Sequence, residues 1–196
     1  MKTILLKISF IFLFLSLMGA GCEKEDELLW EISPDSETAV IQKEVDGIEF
    51  KFCLLNEKGE PATVFNEGEN FTFQFEFRNL TENEIKFSSS FINDDFFKVK
   101  NNDIDFGKPW QSIFCEYVSL PEYFILKKFE TNILQINWVV AGNNTSGIYP
   151  FCPANQKEIL HKGNYYTQFE LNFEYKSNDE SKSINGIKFK INFEIK

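Results

Sequence analysis

The chain has 196 residues, with 20 Lys and Arg against 30 Asp and Glu and a formal charge of −10 at pH 7. Like charge repels rather than steers, so that balance excludes nucleic acid and anionic membrane surfaces as partners. Beyond a leader, about 175 residues remain, enough for one domain with a substantial core.

The chain opens with Lys2 and Lys7, an apolar run from Ile8 to Met18, small Gly19-Ala20-Gly21, and then Cys22. A basic start, a short apolar core and a small-residue cleavage site are the parts of a secretory leader. A membrane-crossing helix needs about 20 apolar residues, and this run is shorter. The small residues running into Cys22 resemble a bacterial lipoprotein signal. That resemblance implies cleavage before Cys22 and acylation (palmitate) of its thiol; an ordinary leader cleavage leaves Cys22 a free thiol at the terminus. Lys24-Glu25-Asp26 resembles the export signal of Bacteroidota surface lipoproteins, which implies lipid anchoring in the outer membrane, facing the cell exterior. On this reading residues 1–21 are leader, 22–34 an acidic tether and 35–196 one domain. Losing Lys2 and Lys7 makes the mature chain more acidic by two charges. Several acyl chains on one cysteine hold a membrane firmly, where one chain binds only marginally.

Within the domain, Asp46-Gly47 between Val40–Val45 and Ile48–Leu55 predicts a two-residue hairpin. Cys53, between Phe52 and Leu54, is expected as a small buried side chain. Asn56-Glu57-Lys58-Gly59 closes that strand, and Glu67-Gly68-Glu69 precedes the next. There Phe71, Phe73, Phe75 and Phe77 alternate with Thr72, Gln74, Glu76 and Arg78, the period of a strand buried on one face. Asn79 to Asn83 leads to Ile85–Phe87. Leu134, Ile136, Trp138 and Val140 repeat the period, followed by the turn residues Asn143 to Gly147. Asn155–His161 reads as one turn of helix or two. Phe169, Leu171, Phe173 and Tyr175 alternate again, and Asn185-Gly186 is expected to open a last strand carrying Ile187, Phe189, Ile191, Phe193 and Ile195. About eight to ten short strands at this spacing predict an all-β fold, an immunoglobulin-like antiparallel β-sandwich.

Asn56 to Pro61, Val64-Phe65, Gly68-Glu69, the strand ending in Asn79-Leu80-Thr81 and the later Gly163-Asn164-Tyr165 resemble small immunoglobulin-like sandwiches of exported lipoproteins. More distantly they resemble proteinase inhibitors of the BsuPI type, in which a strand ends in Asn-x-Ser/Thr and Gly-x-Tyr begins a late strand. The resemblance implies the fold and, as an alternative function, proteinase inhibition.

Chemistry-bearing groups are few. His161 is the single histidine, and no Gly-x-Ser-x-Gly turn accompanies it, so no triad is expected. One His with scattered carboxylates does not supply a zinc set, and no cofactor or metal is expected. Asp94-Asp95 and Asp103/Asp105 are acid pairs by abundance only. Asn101, Asp103 and Asp105 begin like an EF-hand loop, yet Phe106 and Ser112 stand where that loop needs Gly and Glu. Of the three cysteines in the domain, Cys53, Cys115 and Cys152, the last two lie near turn residues and are the preferred disulfide pair. Trp110, after Gly107-Lys108-Pro109, is either a plug between sheets or an exposed contact ring; Tyr117 and Tyr123 are further candidate contacts. The expectation is a non-catalytic surface binding or adhesion module for a protein or glycan ligand. An accessory subunit of an outer-membrane complex is the other alternative.

Overall fold

Alternating hydrophobics drive two mainly antiparallel sheets together in the computed structural model, which describes residues 28–113, 123–140, 151–154, 157–178 and 180–196. The strands, in chain order, are β1 (Leu28–Ile32), β2 (Val40–Val45), β3 (Ile48–Leu55), β4 (Val64–Phe65), β5 (Thr72–Asn79), β6 (Ile85–Phe87) and β7 (Val99–Lys100). They continue with β8 (Asp105–Gly107), β9 (Trp110–Ile113), β10 (Phe124–Leu126), β11 (Thr131–Asn137), β12 (Phe151–Pro153), β13 (Gly163–Ser177) and β14 (Glu180–Ile195). The larger sheet runs β1-β14-β13-β6-β10, with β4 beside β14 and β7–β8 beside β13; the smaller runs β11-β5-β3-β2; β9 and β12 form a separate pair. The protein is a β-sandwich. The fourteen described strands outnumber the eight to ten expected because β4, β6 to β10 and β12 have only two to four residues each, too few for a visible period.

The core is mostly phenylalanine. Phe50 and Phe52 of β3 and Phe73, Phe75 and Phe77 of β5 meet Phe169, Phe173 and Phe189 of the facing sheet, all essentially without solvent exposure. Rings cross the layers edge to face, Phe75 on Phe189 at 5.5 Å and 90° and Phe52 on Phe169 at 5.0 Å and 70°. These are favoured quadrupole geometries, adding about 0.5–1.5 kcal/mol per pair beyond area burial. Phe96 and Phe97 are consecutive yet both buried. Phe97 takes φ = 63°, which turns the chain and lets its ring stack on Phe73 at 4.9 Å. A bulky residue in that conformation is strained, and burial of the ring offsets the strain.

Four features differ from the sequence expectations. Leu28–Ile32, assigned to the tether, is a strand parallel to β14, with Trp30 opposite Phe189 and edge-on to it at 4.9 Å. Among the described residues there is no α-helix, so 157–161 is not helical, while a 3-10 turn forms at Ser89–Phe91. Asn185-Gly186 does not open a strand. The two residues lie inside β14 opposite Asn172, between the pairs Leu171↔Ile187 and Phe173↔Ile184. With Gly186 at φ = 73° and its N–H donating to Asn172 Oδ1 (3.2 Å), they form a β-bulge of the type with glycine in the left-handed region. The β13–β14 hairpin therefore continues past them to Ser177↔Glu180.

Candidate functional site: a donor-rich groove beside Tyr123

At the far end of the large sheet, register gathers polar residues from four segments. Lys176 of β13 faces Lys86 of β6 on one side and Ser181 of β14 on the other, and Glu174 faces Ser183. Tyr123 enters β10, whose Phe124 pairs with Phe87. Together with Ser88, Tyr175 and Lys182 these residues line a groove of ≈340 Å3. That size is at the lower end of small-ligand sites, roughly 300–1,000 Å3.

Lys176 Nζ donates to the Tyr123 hydroxyl at 3.2 Å and lies 4.8 Å from the centre of the same ring. The contact combines a hydrogen bond with cation–π attraction and fixes an otherwise floppy ammonium. Lys86 Nζ is 3.8 Å from Glu84, outside hydrogen-bond range. Ser88 Oγ accepts from the Ser90 N–H at 3.2 Å, and Ser183 Oγ accepts from Asn185 Nδ2 at 3.0 Å. The Tyr175 phenol is buried without a hydrogen-bond partner among the described residues. Burial pushes its pKa up, and Asp46 adds to that.

Two other depressions are more self-contained. A cleft of ≈750 Å3 lies between β1 and β2, the edge strands of the two sheets. Its Glu31 already holds Lys190 (2.8 Å) and Asn192 (2.6 Å), and these bonds pull the carboxyl below its usual range. Its Glu49 is engaged by Gln42 (2.6 Å) and Lys51 (3.5 Å). A third depression, ≈330 Å3, is lined by Trp138, Lys157 and Tyr165. There Lys157 donates to the Phe106 carbonyl (2.7 Å), Trp138 Nε1 to Glu158 O (2.9 Å) and the Tyr165 hydroxyl to His161 O (2.9 Å). Burial lowers the Lys157 pKa.

Of the two candidate contact residues that the structure describes, Trp110 and Tyr123, Tyr123 lines an open groove. Trp110 is 5% exposed: its indole N–H donates to Phe96 O at 2.8 Å and its ring packs on Phe151 at 5.5 Å. Lys108 Nζ stands 3.4 Å from the centre of that ring. Trp110 is thus the plug and not an exposed contact. Tyr117 and Cys115 lie outside the described residues, as do Cys22, Lys24, Glu25 and Asp26. Cys152 is disulfide-bonded, and its partner also lies outside the described residues. Cys53 is a free, buried thiol, its pKa raised to about 12 mainly by burial.

His161 has an 89% exposed side chain, 4.0 Å from Glu67. Asn101 Oδ1 accepts from the Asp103 and Ile104 N–H groups, and Asp105 Oδ1 from that of Gly107, the bonds of ordinary Asx turns. Asp94 and Asp95 neutralise Lys98, Lys100 and Lys108. Among the described residues, no group of three or more His, Cys, Asp or Glu is placed to hold a metal ion.

Asn79-Leu80-Thr81 has a structural role. The fully buried Asn79 carboxamide donates to the carbonyls of Asn83 (2.6 Å), Leu126 (3.2 Å) and Lys127 (3.2 Å) and accepts from the Thr81 N–H (2.9 Å) and hydroxyl (2.7 Å). It joins the end of β5 to the β10 segment. The groove residues Lys86, Ser88, Lys176, Lys182 and Ser183 escaped sequence reasoning. Lys86 and Ser88 belong to one short segment, Lys176 to β13, and Lys182 and Ser183 to β14, and only the register brings these segments together. No known family model, curated protein or solved structure matches the chain.

Proposed function

We propose that this chain is a non-catalytic binding or adhesion module on the cell exterior, held in the outer membrane through lipid on Cys22. The observation that supports a binding role is the Tyr123 groove, an open depression with three lysines in a chain of net charge −10. Binding sites are concave and carry a few convergent polar groups, which this groove does. The address rests on the resemblance of Ala20-Gly21-Cys22 and Lys24-Glu25-Asp26 to lipoprotein signals. We also propose an immunoglobulin-like kinship for the sandwich, supported by its two antiparallel layers.

The test has three arms. Intact mass of the membrane-extracted protein is expected to show a chain beginning at an acylated Cys22, and protease shaving of whole cells is expected to release the domain. A panel of glycans and envelope proteins is expected to contain a ligand whose binding falls on Tyr123→Ala. An unmodified Cys22, a chain protected from shaving, or a blank panel each removes its part of the proposal. Proteinase inhibition keeps only the resemblance around Asn79-Leu80-Thr81, whose hydrogen bonds serve the fold. Titration against a protease panel with full residual activity would end that reading.

A further inference from the structure

Among the described residues, four other than glycine take a positive φ: Asp46, Phe97, Phe129 and Asn178. Asp and Asn tolerate that conformation, and Phe97 offsets its strain by full burial. Phe129 does neither. Its φ is 60°, its ring is 48% exposed, and it has no ring–ring contact among the described residues. Hydrogen bonds nonetheless hold the turn firmly. The Glu130 N–H donates to Lys127 O (3.0 Å), the Lys127 N–H to the Glu130 carboxylate (2.7 Å) and the Asn79 N–H to Glu130 O (3.0 Å). Only the third of the four turn residues has a positive φ, as in a type II turn, where glycine is called for. A strained residue that its surroundings fix in place points to function.

Leu126 pairs with Ile85 and Ile85 with Ser177, so the turn lies at the end of the sandwich that carries the tip of the β13–β14 hairpin. β1 runs parallel to β14 and away from that tip, from Leu28↔Ile187 to Ile32↔Ile191, so its first residue points toward the Phe129 end. Leu171, which faces Ile187, is six residues from Ser177, and Cys22 is likewise six residues before Leu28. Six extended residues span about 20 Å, enough to bring Cys22 level with the turn. The opposite end, at Ile195↔Phe65, is eight residues beyond Ile187, or about 26 Å, and reaching it means doubling back along β1. We propose that the Phe129 end faces the bilayer that holds the Cys22 lipid, and that the Phe129 ring enters the bilayer interface. Lys127 and Lys128 precede the ring, and Lys128 Nζ stands 4.8 Å from its centre. Lysine stems are long enough to keep ammonium groups among the headgroups while the ring goes deeper. One ring holds a membrane weakly, but the anchor keeps it at a high local concentration. The net charge of −10 opposes an anionic surface and not a zwitterionic one.

This inference rests on the lipid-anchor reading and adds an orientation to it. The test is fluorescence of the full-length protein, extracted from its membrane and reconstituted into vesicles of phosphatidylcholine brominated on the acyl chains. Bromine there quenches a ring only when the ring enters the bilayer. The native tryptophans supply the same background in every variant. Against unbrominated vesicles, Phe129→Trp is expected to lose emission relative to the parent, and Val64→Trp, at the opposite end, to lose none. Phe129→Gly is expected to raise the melting temperature, because glycine suits the turn. Protein that floats with the vesicles while Phe129→Trp stays unquenched overturns the proposal, leaves the anchor standing and turns the search to a protein partner for the ring. Equal quenching of both tryptophan variants overturns the orientation. A lower melting temperature in Phe129→Gly shows that the ring serves the fold, which also overturns the proposal. A chain that does not float with the vesicles overturns this inference and the anchor reading together.

Discussion

The methyl group of Thr81 lies 2.6 Å from the point where a Cβ on Gly47 would stand. The Asp46-Gly47 turn and the Asn79-Leu80-Thr81 turn are thus in direct contact, and the Leu80 N–H donates to Gly47 O at 2.8 Å. Gly47 also has φ = 75°, a conformation that disfavours any other residue. Gly47→Ala is expected to destabilise the domain by about 2–3 kcal/mol through strain and clash together. Adding Thr81→Ser, which removes the methyl and keeps the hydroxyl, should return the steric part and leave the conformational part. Urea melts of the two single variants and the double variant decide this; strict additivity would contradict the contact.

Asn79→Ala leaves three carbonyls and the Thr81 amide without their side-chain partner. An unsatisfied buried group costs about 1–3 kcal/mol, so a loss of roughly 3 kcal/mol is expected. Asn79→Asp should be worse, because a carboxylate cannot donate to the carbonyls of Leu126 and Lys127. A lower denaturation midpoint with an unchanged slope is the signature. Variants as stable as the parent would show that the latch does not hold the fold.

The pH dependence follows from Glu31. Hydrogen bonds from Lys190 and Asn192 hold its folded pKa below the ordinary 4.5. A depressed carboxylate pKa contributes stability that is present above the unfolded value and is lost as pH falls through the folded one. Asp94 and Asp95, lowered mainly by hydrogen bonds from Lys108 and Lys98, act in the same direction. Stability is therefore expected to decline below about pH 4.5, and Glu31→Gln should flatten part of that decline. An identical pH profile in the variant would contradict the assignment.

Thiol chemistry provides a fourth check. With its pKa near 12, Cys53 is a neutral, covered thiol at any ordinary pH. Alkylation of the native chain at pH 8 should leave Cys53 unlabelled until denaturant is added. Non-reducing peptide mapping should recover Cys152 in a disulfide, and the proposed partner is Cys115. A Cys22–Cys152 peptide would replace that pairing and deny Cys22 its lipid.

Turn chemistry read locally succeeded where the local answer was the whole answer. Asp46-Gly47 has positive φ at both residues and joins β2 to β3 at the expected boundaries. Asn185-Gly186 carries the same residue pattern, yet the partner strand makes it a bulge. Both sites place glycine in the left-handed region, but Asp46 takes a positive φ as well and Asn185 does not, and Asn172 opposite the pair completes the bulge. The Phe71 to Phe77 alternation announced a buried face, and that face is the centre of the core. Trp110 was ambiguous because Pro and Gly before an aromatic suit both a plug and a contact; its indole bond to Phe96 decides for the plug. The Tyr123 groove had no local signature, since Lys86 and Lys176 are 90 positions apart and adjacent only through sheet register.

The bulge in β14 is also a phase shift. After it, odd-numbered residues face the core: Ile187, Phe189, Ile191 and Phe193. Before it, Ile184 takes that role, and Ser181 and Ser183 lie across from Lys176 and Glu174. A strand of unbroken period would have to turn those serines inward and Ile184 outward, because a one-residue slip exchanges the faces. One inserted residue thus lets a single sixteen-residue strand keep its hydrophobic parity at one end and present hydroxyls to the groove at the other. Deleting Asn185 is expected to leave Ile184 and Ile187 inward in one regular period with the serines still outward, whereas ironing out the bulge with Asn185 kept would turn the serine-lined wall inward.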